Sequence, residues 1–462
     1  MTPVLVLNVV GLTRALLAQF PGKARAIEGL AREGASASLG TVLPAVTCPA
    51  QSTFLTGKLP REHGIVGNGW YFRELAEVHF WKQSNGLVAG EKVWDEGHKR
   101  AKDFTSAQIC WWYNMHSSSD IAVTMRPYEG GGRVVSLLYT QPPNLARQLE
   151  AELGAFPLFD FWGPRAGIAS SEWIERCARF IRRKNSPTLT LVYLPHLDYG
   201  LQRLGPHDPR IGEELAAIDT VVGRLAVEAR AAGVEVVVLS EYGMSAVSGA
   251  VDINRVLRRG GYLRVQEQLE WELLDCGASR AFAVSDHQVA HVYVRDSNDV
   301  AAVRALLEKT PGIERVLDEA GKREHGLDHP RAGELVALAA PDRWFTYFYW
   351  EDDAKAPGWA HEVDIHSKPG YDPLELFLDP RAPLKVPRMM ARLGLRALGF
   401  NAGPIMTFVP FDVRLVKGSH GRLPESPEAG PLFITSARKA GLPDHLPATE
   451  VKGTLLRIIF NG

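Results

Sequence analysis

Three kinds of polar residue stand where an otherwise apolar chain changes direction, and together they suggest one chemistry. Thr47 opens Thr47-Cys48-Pro49 after the run Thr41-Val42-Leu43-Pro44-Ala45-Val46, and a threonine held in such a strand-to-helix corner presents its hydroxyl as a nucleophile. Asn68, one loop later in His63-Gly64-Ile65-Val66-Gly67-Asn68, offers an amide that can bind a phosphate oxygen. Asp198 and Glu241 close apolar runs, in Pro195-His196-Leu197-Asp198 and Ser240-Glu241-Tyr242-Gly243. A carboxylate in such a place needs a partner if it is buried, and a functional site supplies one. Hydroxyl, amide and carboxylates together point to the handling of phosphate.

Two further groups carry candidate ligands. Ser285-Asp286-His287-Gln288 is followed by His291, and residues four apart share a face on a helix and on a strand alike, so His287 and His291 are expected to converge. Val289, Val292 and Val294 favour the strand. The second group is Asp364-Ile365-His366-Ser367-Lys368 before Pro369-Gly370, a loop setting in which His366 and Lys368 are candidates for ligand binding. His196 reads as a supporting group. Trp111-Trp112-Tyr113 reads either as core or as a wall against which a planar substrate stacks.

The elements that must hold these groups follow from periodicity. Val4 to Val10, Thr188 to Leu194 and Val234 to Ser240 are apolar runs of strand length. Gly22 to Glu33 and Arg210 to Ala232 carry apolar residues at helical spacing. Fully apolar strands alternating with amphipathic helices predict an α/β sandwich with a largely parallel central sheet flanked by helices, whose ligands bind beyond the carboxyl ends of the strands. Residues 70–167 are aromatic-rich and irregular and read as a cap or insertion; residues 285–387 read as a second insertion, with short strands at Ala290–Val294 and Phe345–Trp350 and a helix at Val300–Lys309. The whole of 1–462 reads as a single catalytic domain carrying these segments.

Composition narrows the class of partner. The 462 residues are 45% hydrophobic and 23% charged, the profile of an ordinary globular protein. With 52 Lys and Arg against 53 Asp and Glu, no broad electrostatic attraction to nucleic-acid polymers or anionic membranes is expected, which leaves small molecules as substrates. The cysteines Cys48, Cys110, Cys177 and Cys276 are far apart and predict reduced thiols. The first apolar run is too short for a membrane span and has no basic segment before it, so it reads as a buried strand of a cytoplasmic protein.

Taken in order, these motifs resemble the alkaline phosphatase superfamily, and within it the nucleotide pyrophosphatase/phosphodiesterase type. Thr47 with Pro49 resembles the nucleophile motif, and Asn68 in Gly-Ile-Val-Gly-Asn resembles the phosphate-binding asparagine. Asp198 with Gly205-Pro206 resembles the Asp-x-x-Gly-His-x-x-Gly-Pro segment, and Ser240-Glu241-Tyr242-Gly243-Met244 resembles Ser-Asp-His-Gly-Met. Gly418-Ser419-His420-Gly421, followed by Pro431–Ile434 and Leu455–Ile459, resembles the last His-Gly motif and the closing helix.

The resemblance implies a phosphoester hydrolase with Thr47 as nucleophile and two metal ions, usually zinc, held by three aspartates and three histidines. Val10, Gln202 and Tyr242 stand at three of those six places, and Glu241 at a fourth. A hydrocarbon ligates nothing, and losing an Asp and a His from one half-site should greatly weaken it. One divalent ion, zinc or manganese, is therefore expected rather than two, held by Asp198, Glu241 and His420 with His287 or His366 completing the shell. Asn68, Tyr242 and Lys368 are expected to bind the substrate, a phosphodiester, pyrophosphate or phosphomonoester of a small metabolite or nucleotide. The alternatives are a metal-depleted pseudoenzyme that binds a phosphorylated metabolite, and a sulfatase or phosphotransferase of the same fold.

Overall fold

In the computed structural model, residues 1–130, 133–379, 409–438 and 440–461 are described, together with Gly394. A nine-stranded mixed sheet forms the frame. In spatial order its strands are His445–Leu446, Ala35–Leu39, Leu432–Thr435, Glu235–Leu239, Val4–Val9, Leu189–Leu194, Ser106–Ile109, Ile121–Met125 and Leu138–Gln141. The five from Glu235–Leu239 to Ile121–Met125 run parallel, in the register Val4 to Leu189 on one side and Val4 to Glu235 on the other. Val4–Val9 lies at the centre and is buried throughout, as its unbroken apolar run requires.

Helices cover both faces. Arg25–Glu33, Ile168–Asn185 and Ile211–Ala231 pack one side around Ile27, Ile174, Ile218 and Leu225, while Val451–Asn461, Val93–Arg100 and Thr47–Thr56 pack the other around Phe54, Trp94, Leu455 and Ile459. Among the described residues, no helix is long and apolar enough to cross a membrane.

A second core lies beyond the carboxyl edge of this sheet. Its four-stranded antiparallel sheet has the order Ala281–Asp286, Val289–Val294, Leu335–Ala339, Ile313–Leu317. Helix Val300–Glu308 packs on it, and Phe282, Val292, Trp344, Tyr347 and Trp350 fill its interior.

Both segment boundaries read from the sequence need correction. Residues 70–167 are not simply a cap, because Ser106–Ile109, Ile121–Met125 and Leu138–Gln141 are three of the nine strands of the main sheet. Each is only four or five residues long and set among aromatic loops, which hides its periodicity. The second unit is wider than 285–387, since its core includes Val247 and Ile253 before that span and Val409 and Val416 after it. Residues 380–387 lie outside the described residues. The strand expected over Phe345–Trp350 is Arg343–Phe345, after which the aromatic run packs without regular structure.

Candidate active site

Thr47 is the first residue of a ten-residue helix that is buried on every side. Val46 before it is extended, and Gly57 ends the helix at φ 69°, a left-handed conformation that suits glycine. Pro49 costs the helix nothing, because the amides of a first turn have no intrahelical acceptor. One such amide, Cys48 N–H, donates to Asn68 Oδ1 at 3.0 Å.

The carboxyl ends of the three central strands converge on this corner. Glu241 follows Glu235–Leu239, and its Oε1 accepts from Asn8 Nδ2 at 2.5 Å and from Gln51 Nε2 at 2.6 Å. Asn8 is the one polar residue of the central strand, and Gln51 lies one helical turn beyond Thr47. Asp198 sits in the first turn of His196–Leu204, with its oxygens taken by Gln202 Nε2 at 2.6 Å and the Tyr242 hydroxyl at 3.3 Å. The same hydroxyl lies 3.5 Å from Thr47 Oγ1. His420 donates from Nδ1 to the Ala45 carbonyl at 2.7 Å, which leaves the lone pair on Nε2, 3.9 Å from Asp198.

Four rings form a column across the site. Tyr242 stacks on His420 at 3.6 Å between centroids, His420 on His287 at 3.6 Å, and His287 on Tyr371 at 3.7 Å. Tyr371 donates to Gln202 Oε1 at 2.9 Å, so the column is tied back to Asp198 through Gln202. His287 is placed by the second sheet: it occupies the tight turn between two strands at φ 60°.

Burial sets the protonation states. It pushes the Asp198 carboxyl up to about 7, against the hydrogen bonds from Gln202 and Tyr242. It pushes Glu241 up to about 8, with hydrogen bonds from Gln51, Thr47 and Asn8 opposing and the nearby Asp198 charge adding to the rise. Burial likewise drives His420 down to about 3, and His287 well below the usual imidazole range with His420 beside it. The Tyr242 phenol is held well above its ordinary value by burial and by the Asp198 and Glu241 charges. Near neutral pH the corner therefore contains neutral imidazoles, a neutral phenol and carboxyls that give up their protons around pH 7 to 8.

The side chains present do not assemble the cage that the resemblance implies. Among the described residues no group of three or more His, Cys, Asp or Glu is placed to hold an ion. Val10 is in the core, and Gln202, Asn8 and Gln51 turn amide donors onto the carboxylates a cation would need. Glu241 Oε2 and His420 Nε2 are buried without partners, but two lone atoms do not complete a four-coordinate site.

Of the residues singled out from the sequence, Thr47, Asn68, Asp198, Glu241, Tyr242, His287 and His420 are all buried in one cluster. Lys368 is not part of it: its ammonium is buried between Asp372 at 2.8 Å and Glu375 at 2.6 Å. His366 is exposed, on a loop where Asp364 accepts its backbone N–H at 3.1 Å. His291 does not join His287, because the turn separates them. Its Nε2 faces the Val66 carbonyl at 2.9 Å, and its Nδ1 accepts from Gly333 N–H at 3.2 Å. His196 faces Glu214, 2.9 Å away. Sequence reasoning missed Asn8, Gln51 and Tyr371 and gave Asp286 no role. Asn8 alone carried a signal, as the polar break in an apolar strand.

Residues 4–372 match the family model described as type I phosphodiesterase/nucleotide pyrophosphatase. The chain belongs to this family. The family is named for the hydrolysis of phosphodiester and pyrophosphate bonds. An uncharacterized pyrophosphatase/phosphodiesterase of Schizosaccharomyces pombe is 24% identical over 209 residues, 44% of this chain and 37% of that protein. The match thus spans little more than a third of the length of that curated relative.

Among solved structures, phosphonoacetate hydrolase of Sinorhizobium meliloti in complex with phosphonoformate is similar over 99% of this chain and 96% of its own, at 15% identity and a TM-score of 0.63. Murine ectonucleotide pyrophosphatase/phosphodiesterase 5, in an inactive form with a threonine replaced by alanine and AMP bound, is similar over 99% and 95%, at 14% identity and a TM-score of 0.60. At these identities the likeness is one of fold, the expected α/β sandwich.

Proposed function

We propose that this protein hydrolyses small phosphate esters by attack of Thr47 on phosphorus. The observation that carries the reading is the position of Thr47: its Oγ1 lies at the amino end of a buried helix, 3.5 Å from the Tyr242 hydroxyl and in hydrogen-bond contact with Glu241. The Oγ1–phosphorus bond forms as the ester oxygen leaves, and the threonine proton passes to Glu241 in its ionised form, which gains population as pH rises toward about 8. Water then attacks phosphothreonine and restores the hydroxyl. Asn68 and the Cys48 amide, at the positive end of the helix, serve the equatorial oxygens.

Trp112, whose backbone N–H donates to Gln51, and Tyr371, which donates to Gln202, bring an aromatic wall to the corner, with Trp81 and Trp112 at 4.7 Å and Trp162 and Tyr371 at 5.7 Å between centroids. Such a wall suits a planar leaving group or base. The near-neutral charge supports a small metabolite rather than a polymer, and the free cysteines fit a cytoplasmic protein. AMP in the murine structure supports a nucleotide-like ligand.

Thr47→Ala tests the reading. Turnover of bis(p-nitrophenyl) phosphate should fall to background with the unfolding midpoint unchanged; undiminished turnover removes Thr47 from the mechanism. The amide donors turned onto both carboxylates favour one other reading, a binding protein for phosphorylated metabolites. Wild-type protein that holds AMP in calorimetry yet turns over no diester, with or without added zinc or manganese, selects that reading.

A further inference from the structure

The small sheet sends a second residue into the site beside His287. Asp286, the last residue of strand Ala281–Asp286, is 2% exposed. Its Oδ2 accepts the backbone N–H of Asn68 at 2.9 Å, and its Oδ1 accepts from Asn68 Nδ2 at 3.1 Å. One carboxylate thus grips both the main chain and the side chain of the asparagine, across 218 residues of sequence.

Such a grip decides which way the Asn68 amide faces. With Nδ2 toward Asp286, Oδ1 accepts from Cys48 N–H at 3.0 Å. The opposite orientation would set Oδ1 against a carboxylate and the NH2 group against an N–H, acceptor on acceptor and donor on donor. The observed orientation leaves one Nδ2 hydrogen unspoken for by Asp286, beside the Cys48 amide at the amino end of the Thr47 helix. Two donors beside one hydroxyl form the cradle that a developing phosphoryl charge needs, provided the amide is held before the substrate arrives. Phosphate binding requires only that Oδ1 release Cys48 N–H to a phosphoryl oxygen, while Asp286 keeps the amide from turning over.

Resting on the Thr47 reading, we propose that Asp286 is a positioning residue for phosphoryl transfer, which fixes the Asn68 carboxamide as a donor toward the phosphoryl oxygens. It acts through Asn68 and touches no reacting atom. Because Asp286 and His287 belong to the second core, this also gives that core a function: the main sheet supplies Thr47, Asp198 and Glu241, and the small sheet orients the amide.

The test is a double-mutant cycle on bis(p-nitrophenyl) phosphate turnover. Asp286→Asn keeps the shape of the side chain but replaces one acceptor with a donor. It should lower kcat by about 10- to 100-fold, less than the ~100- to 1,000-fold typical of deleting an oxyanion donor outright, with KM within about threefold. In an Asn68→Ala background the same substitution should change kcat by no more than about twofold, because the group it orients is gone. A full effect of Asp286→Asn in that background, or wild-type kcat in the single variant, overturns the proposal.

A second measurement requires no turnover. In wild-type protein labelled with 15N-asparagine, the Asn68 side-chain amide, assigned by its loss in Asn68→Ala, should exchange slowly with solvent; fast exchange overturns the proposal. Loss of the Thr47 reading leaves this measurement intact, so the two failures are distinguishable.

Discussion

Replacing Glu241 with glutamine separates its charge from its shape. Oε1 of Glu241 accepts from both Asn8 and Gln51, and a glutamine Oε1 keeps both hydrogen bonds. Its Nε2 takes the place of Oε2, which has no partner in the structure. The change therefore removes a buried titratable group and, with it, a carboxylate acceptor beside the Thr47 hydroxyl. Burial raises this carboxyl from its ordinary 4.5 to about 8, so the folded state holds the proton more tightly than the unfolded chain. The wild type is accordingly at full stability below pH 4.5 and loses stability as pH rises toward about 8, where the loss levels off.

At about 1.4 kcal/mol per pH unit, the interval from pH 5 to 8 has a ceiling of about 4 kcal/mol. Part of the rise comes from the Asp198 charge, so the stability of Glu241→Gln relative to wild type should climb by about 2 to 4 kcal/mol over that interval. Urea unfolding followed by the fluorescence of the 11 tryptophans at pH 5, 6, 7 and 8 measures it. Parallel curves for the two proteins would refute the argument that Glu241 is buried with its proton. The same variant cannot take the Thr47 proton, and kcat should fall by about 100- to 10,000-fold; full turnover would remove Glu241 from the reaction.

Two further outcomes follow from the geometry around the site. Lys368→Met leaves Asp372 and Glu375 buried without their cation and should cost about 3 to 5 kcal/mol in urea unfolding, and a loss under 1 kcal/mol would mean the triad is not a buried ion network. Tyr242→Phe keeps the stack on His420 but removes the hydroxyl 3.5 Å from Thr47 and 3.3 Å from Asp198. It should lower kcat/KM by about 10- to 100-fold with little change in stability, and unchanged kinetics would make Tyr242 a packing residue.

Much of the frame was legible because its signals are local. The runs at Val4–Val9, Leu189–Leu194 and Glu235–Leu239 are apolar on both faces, as strands covered by helices must be, and the polar residues that end them mark the site edge. Thr47 and Asn68 were legible for the same reason, as polar residues at corners. The strands inside 70–167 were not, because four residues among aromatic loops show no period.

Sequence alone thus determined the architecture, the candidate nucleophile and three positions, Val10, Gln202 and Tyr242, that depart from the ligand pattern the resemblance implies. Only the tertiary structure decided what those residues do. Hydrogen bonding across 233 residues joins Asn8 to Glu241, and across 218 joins Asp286 to Asn68. Pairing at that range leaves no spacing to read, since it depends on which strands lie side by side. The same holds for Lys368 and His366, where a loop motif suggested ligands and folding gave one to a buried ion triad and the other to the surface. Charge and residue type are properties of the sequence; whether a carboxylate faces a cation, an amide or a phosphate is settled by what the fold packs against it.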